Sequence, residues 1–154
     1  RLDSSAASDV YKRQSFVITA RTDALETHGI DEAIRRARLY KEAGASLLFV
    51  EGPRTVEELR RIGSELPPPL VVNLIEGGKT PLCSLEELQE MGFFSVGFVL
   101  SGLYASARAL DETYRHIRAT ASTGGLKDRM WSFDDFNRVI GVEQRYQDDA
   151  RYRT

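Results

Sequence analysis

The side chains able to do chemistry in this sequence stand directly after short apolar runs. Ala20-Arg21-Thr22-Asp23-Ala24 follows Phe16–Thr19, Glu51-Gly52-Pro53 follows Leu47–Val50, and Asn73 follows Leu70–Val72. Arg21 offers a planar fork of donors suited to a carboxylate or phosphonate; a structural pairing with Asp23 or Glu51 is the alternative. Glu51 offers an acceptor that orients Arg21, a substrate or a metal-bound water, or it is a loop acid. Asn73 can donate an amide hydrogen bond to an oxyanion, or cap the turn that follows it. Lys79 reads as a solvated cation, and the Gly77-Gly78 pair as turn glycines. The run Glu76-Gly77-Gly78-Lys79-Thr80 lacks the glycine spacing of a phosphate loop, which excludes nucleotide binding there.

Other reactive residues offer less. Cys83 is the single cysteine, so no disulfide forms within the chain and a cysteine-based zinc site is excluded. It sits between an apolar residue and a predicted helix, where a partly buried structural thiol is expected. His28 and His116 are far apart with no metal-ligand spacing, and neither is assigned a role.

These residues need elements to position them. Phe16–Thr19, Leu47–Val50, Leu70–Val72 and Phe94–Phe98 have the length and near-continuous apolar character of buried parallel strands. Helices are predicted between them. Asp31–Ala43 carries Ile30, Ala33, Ile34, Ala37 and Tyr40 on one face, with Asp31 as N-cap or first-turn acid and Gly44 as the stop. Thr55 to about Glu65 opens with a capping-box pattern, Thr55 and Glu58. Ser84-Leu85-Glu86-Glu87 repeats that pattern before a short helix ending at Gly92. A longer helix is expected over Ser101–Ala121, and terminal helices from about Trp131. The β-α alternation, with strand centres at Val17, Leu48, Val71 and Val96 spaced by 31, 23 and 25 residues, is the rhythm of right-handed βα crossovers. A small doubly wound sheet and half of a (β/α)8 barrel both fit it, and in both the ligand binds at the C-terminal strand ends.

Bulk composition narrows the class. The chain has 154 residues, 42% hydrophobic and 29% charged, with a net charge of −2. That is a globular domain, not a chain that coats nucleic acid or a membrane surface. The basic run Arg35-Arg36-Ala37-Arg38 reads as a solvated helix face. A cytoplasmic location is expected. Residues 1–14 have neither strand nor helix periodicity and are expected to be a non-native or disordered extension. The domain reading is therefore 15–121 for the βα units and 122–154 for a helical tail.

Several segments together resemble the isocitrate lyase / phosphoenolpyruvate mutase superfamily. They are Val17–Ala24 (VITARTDA), Gly29–Ile34, Tyr40–Ala45, Phe49–Gly52, Val72-Asn73 and Glu76–Pro81 (EGGKTP). The groups they resemble are 2-methylisocitrate lyases, carboxyphosphonoenolpyruvate mutase-like proteins and oxaloacetate decarboxylase-like proteins. The resemblance spans about residues 15–150. It implies a C-terminal half (β/α)8 barrel, strands five to eight, followed by C-terminal helices. It also implies an Mg²⁺-dependent lyase or mutase acting on C–C or P–C bonds of small 2-oxo or 2-hydroxy acids through an enolate-like pyruvate intermediate. By the same resemblance Arg21, Glu51 and Asn73 contact substrate, and the full-length protein is a homo-oligomer, a dimer or tetramer.

The departures shape the expectation. The family's Asp-rich metal motif and its lysine-cysteine-glycine-histidine loop do not occur, and Cys83 has the wrong context for that loop. Tyr104 stands near the position where 2-methylisocitrate lyases carry an arginine. The chain alone is therefore expected to be inactive and to hold no direct metal ligand. The competing reading is a non-enzymatic α/β ligand-binding or interaction domain. The tail's apolar stripe, Trp131, Phe133, Phe136, Val139 and Ile140, suits exchange between subunits or packing on its own barrel.

Overall fold

The computed structural model describes residues 16–153; the extension expected over 1–14 lies outside them. The described residues divide into two compact units, up to Gly102 and from Leu103. The first unit holds strands β1 (Thr19–Thr22), β2 (Leu47–Val50), β3 (Leu70–Leu74) and β4 (Phe93–Phe98), parallel and in sequential order. Helices α1 (Ala24–His28), α2 (Ile30–Glu42), α3 (Val56–Glu65) and α4 (Leu85–Glu90) lie between them. Helix α5 (Ser101–Thr120) begins at the end of this unit. The second unit carries the rest of α5, then a 3-10 turn at Lys127–Arg129, α6 (Phe133–Val139) and α7 (Val142–Tyr152).

One face of the sheet carries the core. Leu48, Leu70, Val72 and Leu74 pack with Ala33, Ile34 and Ala37 of α2, Leu59 and Ile62 of α3, and Leu88 of α4, all buried. Each buried Leu or Ile contributes about 1.5–3 kcal/mol relative to exposure. Burial along β3 alternates: Leu70, Val72 and Leu74 are buried, while Val71 and Asn73 are half-buried on the other face. Register carries that second face across the sheet. Arg21 pairs with Phe49, Phe49 with Val71 and Val71 with Ser95, while Asn73 pairs with Gly97 one pleat further on. Since parallel neighbours in register share a face, Arg21, Phe49 and Asn73 all point away from the core helices.

Some sequence expectations need correction in detail. The first strand is Thr19–Thr22, not Phe16–Thr19. Pairing starts where the Ile18 carbonyl accepts from the amides of Ser46 and Leu47, so Phe16 and Val17 are an exposed lead-in and Arg21 lies inside the strand. The third strand likewise runs on through Asn73 to Leu74. A charged or amide side chain is compatible with a strand here because the face it occupies is not the core face. Helix α1 was not foreseen; it begins where Thr22 Oγ1 accepts from the Ala24 amide. Of the two expected capping boxes, Ser84–Glu87 closes in both directions. At α3 only half forms: Thr55 Oγ1 accepts from the Glu58 amide, while the Glu58 carboxylate accepts from the Arg54 amide at 2.6 Å. Asp31 sits in the first turn of α2, whose N-cap is Gly29. The second, third and fourth strands and α5 otherwise fall within a residue or two of expectation.

Candidate active-site rim

Arg21, Glu51 and Asn73 line one cavity of about 340 Å³, with Asp23, Glu26, Gly52, Ile75, Gly78, Lys79 and Thr80. The cavity lies where β1, β2 and β3 end. The Glu51 amide donates to the Thr22 carbonyl at 3.0 Å, which extends the β1–β2 ladder past its last paired strand residue and holds Glu51 beside Arg21.

The Arg21 guanidinium is held on three sides. Its Cζ stands 5.3 Å from the Phe49 ring centroid, a cation–π contact on the face the two residues share. Its Nη2 donates to Asp23 Oδ1 at 2.7 Å, and Nε to both Asp23 oxygens at 3.2 Å. Its Nη2 also lies 3.3 Å from Glu51 Oε2. That last contact is ionic but poorly aligned: Glu51 Oε2 is buried and receives no hydrogen bond. A buried carboxylate oxygen without a donor is costly unless a ligand or water supplies one. The bond from Arg21 holds the Asp23 carboxyl below its ordinary range, and the same bond raises the guanidinium. Glu26 accepts from Lys79 Nζ at 2.5 Å and from Arg54 Nη2 at 3.3 Å. The Lys79 bond, first of several causes, lowers the Glu26 carboxyl.

Asn73 is positioned by the absence of a side chain on β4. A Cβ built on Gly97 would stand 2.6 Å from Asn73 Oδ1. The amide oxygen lies over that glycine, and Asn73 lines the cavity. The pairing of Arg21 with Asp23 is the structural alternative the sequence offered; the parts played by Glu26, Lys79 and Gly97 were not foreseen. The usable signal was Gly97, since a glycine inside an apolar strand marks a close approach.

Cys83 packs against the core, and burial raises its thiol, in keeping with a structural part. His28 and His116 are outside the cavity lining. Among the described residues no group of three His, Cys, Asp or Glu side chains stands ready to hold a metal ion. No helix among them is long and apolar enough to cross a membrane.

The profile of the family described as phosphoenolpyruvate phosphomutase matches residues 3–118. The petal death protein of Dianthus caryophyllus is 40% identical over 149 residues, covering 97% of this chain and 47% of the relative. The 2,3-dimethylmalate lyase of Eubacterium barkeri is 36% identical over 149 residues, covering 97% of this chain and 52% of the relative. Oxaloacetate acetylhydrolase, solved with its product oxalate, superposes with a TM-score of 0.83 at 32% identity, over 94% of this chain and 50% of that one. The chain thus spans about half the length of the curated relatives it matches.

Proposed function

The chain belongs to the isocitrate lyase / phosphoenolpyruvate mutase superfamily, and we propose that its cavity is the carboxylate-anchoring side of a lyase or mutase site. The reaction class is cleavage or rearrangement of a C–C or P–C bond in a small 2-oxo or 2-hydroxy acid, through an enolate-like pyruvate intermediate. One observation carries the proposal: the Arg21 guanidinium, the Glu51 carboxylate and the Asn73 amide line a single cavity at the ends of three neighbouring parallel strands.

Each side chain then has a part. Arg21 exchanges Asp23 for the substrate carboxylate, offering the same edge of its guanidinium. Phe49 beneath it keeps the fork in place. Glu51 accepts a hydrogen bond from a substrate hydroxyl or a bound water at the oxygen that receives none in the ligand-free chain. The Asn73 amide nitrogen donates to oxygen that becomes negative as the bond breaks. Mg²⁺, which the resemblance implies, would supply Lewis-acid polarisation of that oxygen. The residues described do not form a shell for it: Asp23 and Glu26 are engaged by Arg21, Lys79 and Arg54.

Oxalate titration of the chain, followed by side-chain and backbone NMR shifts, tests the reading. Shifts at the Arg21 Nε–H and the Asn73 side-chain amide are expected, and loss of the Asn73 response in Arg21→Ala. Oxalate responses confined to surfaces remote from the cavity would overturn it. Mg²⁺-dependent pyruvate release from oxaloacetate or 2-methylisocitrate by this chain alone is expected to stay at background, because the described rim holds an anion but no cation shell.

A further inference from the structure

Three loops at the strand ends meet on one carboxylate. Glu26 comes from α1, after β1. Arg54 comes from the loop after β2, and Lys79 from the loop after β3, 53 residues along the chain from Glu26. Glu26 and Lys79 line the same cavity as Arg21 and Asp23, whereas Arg54 does not. The cavity therefore holds two internal pairs of one design, a cation capped by a carboxylate from α1 or its start: Arg21 with Asp23, and Lys79 with Glu26. All four side chains are about half exposed, so each pair can exchange its partner for a dissolved anion at small cost.

The loop bearing Lys79 is held for this task. Its Glu76 carboxylate accepts from Ser101 Oγ at the start of α5. That contact anchors the loop three residues before Lys79, whose side chain then reaches across to α1. Arg54 matters for what happens afterwards. When Lys79 leaves Glu26, the Arg54 guanidinium remains to neutralise the carboxylate, so the exchange does not strand a bare charge beside an incoming anion.

We infer that Lys79 is a specificity-determining residue that takes the second anionic group of a substrate whose first carboxylate is held by Arg21, with Glu26 standing in for that group in the ligand-free chain. The inference rests on the reading that Arg21 binds a carboxylate. A dicarboxylate exchanges both internal partners, whereas a monocarboxylate exchanges Asp23 alone. The sequence hides this because Lys79 gains its neighbour only through folding.

The test uses matched 2-hydroxy acids, malate and lactate, titrated calorimetrically into the 154-residue chain at low salt. Lys79→Gln is expected to weaken malate by roughly fivefold, the size of one half-exposed charge contact, and to leave lactate unchanged. Lys79→Arg keeps malate binding. Glu26→Gln, which removes the internal competitor, tightens malate. A latch that merely shaped the loop would give the opposite pattern: Glu26→Gln and Lys79→Gln would move both acids in the same direction. That result overturns the inference, as does malate binding that depends on Arg21 but ignores Lys79→Gln. If the chain binds neither acid, the carboxylate-anchor reading fails first and this inference falls with it.

Discussion

Asn73 faces the cavity because its neighbour on β4 has no side chain. Gly97 pairs with Asn73, and a Cβ there would meet Asn73 Oδ1 at 2.6 Å and Val99 Cγ1 at 3.2 Å. The crowded atoms are side-chain ends, which can swing aside. Gly97→Ala is therefore expected to change stability by less than about 1 kcal/mol, since the loss of chain entropy on folding is also smaller for alanine. Its effect on the site is larger: the amide turns from the cavity, and the Asn73 response to oxalate disappears while the Arg21 response remains. Thermal unfolding and oxalate titration of the same variant separate the two effects. An unchanged Asn73 response would show that the glycine is not what aims the amide. The same reasoning explains why Arg21 needs Phe49. A guanidinium stacked on a ring is oriented without consuming its donors, so all remain for the carboxylate.

Helix α3 approaches the turn before β4 so closely that its own sequence preference is overridden. A Cβ on Gly63 would stand 1.7 Å from the Met91 carbonyl oxygen and 2.8 Å from its carbon, both backbone atoms. Alanine normally gains about 1 kcal/mol over glycine inside a helix. Here the overlap forces α3 away from that turn, a cost of about 1–3 kcal/mol or more, so Gly63→Ala is expected to destabilise. Gly102→Ala on α5, with open space around its Cβ position, is the control and is expected to be neutral or stabilising. Urea unfolding of the two variants checks the contrast; equal midpoints would refute it. These contacts also mark how far a sequence can be read. Leu47–Val50 was legible to the residue because neighbours cover the strand almost completely, and burial on both faces writes a continuous apolar run. Thr19–Thr22 was not, because Arg21 faces the cavity while the apolar Phe16 and Val17 before it lie exposed. Helix α1, five residues long, is too short for periodicity to show. Arg21, Glu51 and Asn73 could be picked out from the strand-end rule alone. Glu26 and Lys79 could not, since what gives them meaning is a distance across loops.

At the scale of the whole sheet, the balance of covered and uncovered surface sets the behaviour of the chain in solution. Among the described residues β1 pairs only with β2, and β4 only with β3. Both outer strands thus present unpaired backbone donors and acceptors, the template on which sheets add further strands. Apolar side chains accompany them: Phe16, Val17 and Ile18 before β1, and Phe94 and Phe98 on β4, are all exposed. Phe94 is also the extra residue where the β3–β4 register shifts, which turns its ring outward. A closed barrel has no such edges. With a net charge of only −2, repulsion between copies is weak. The chain is therefore expected to associate with increasing concentration, read as a rising mass by light scattering on a sizing column. Val17→Lys with Phe94→Lys, one charge at each edge and neither in the cavity lining, is expected to restore a monomer while oxalate still shifts Arg21 and Asn73. Wild-type chain that stays monomeric across the concentration range would mean the edges are protected in solution, and the open-edge account of this half barrel would have to be abandoned.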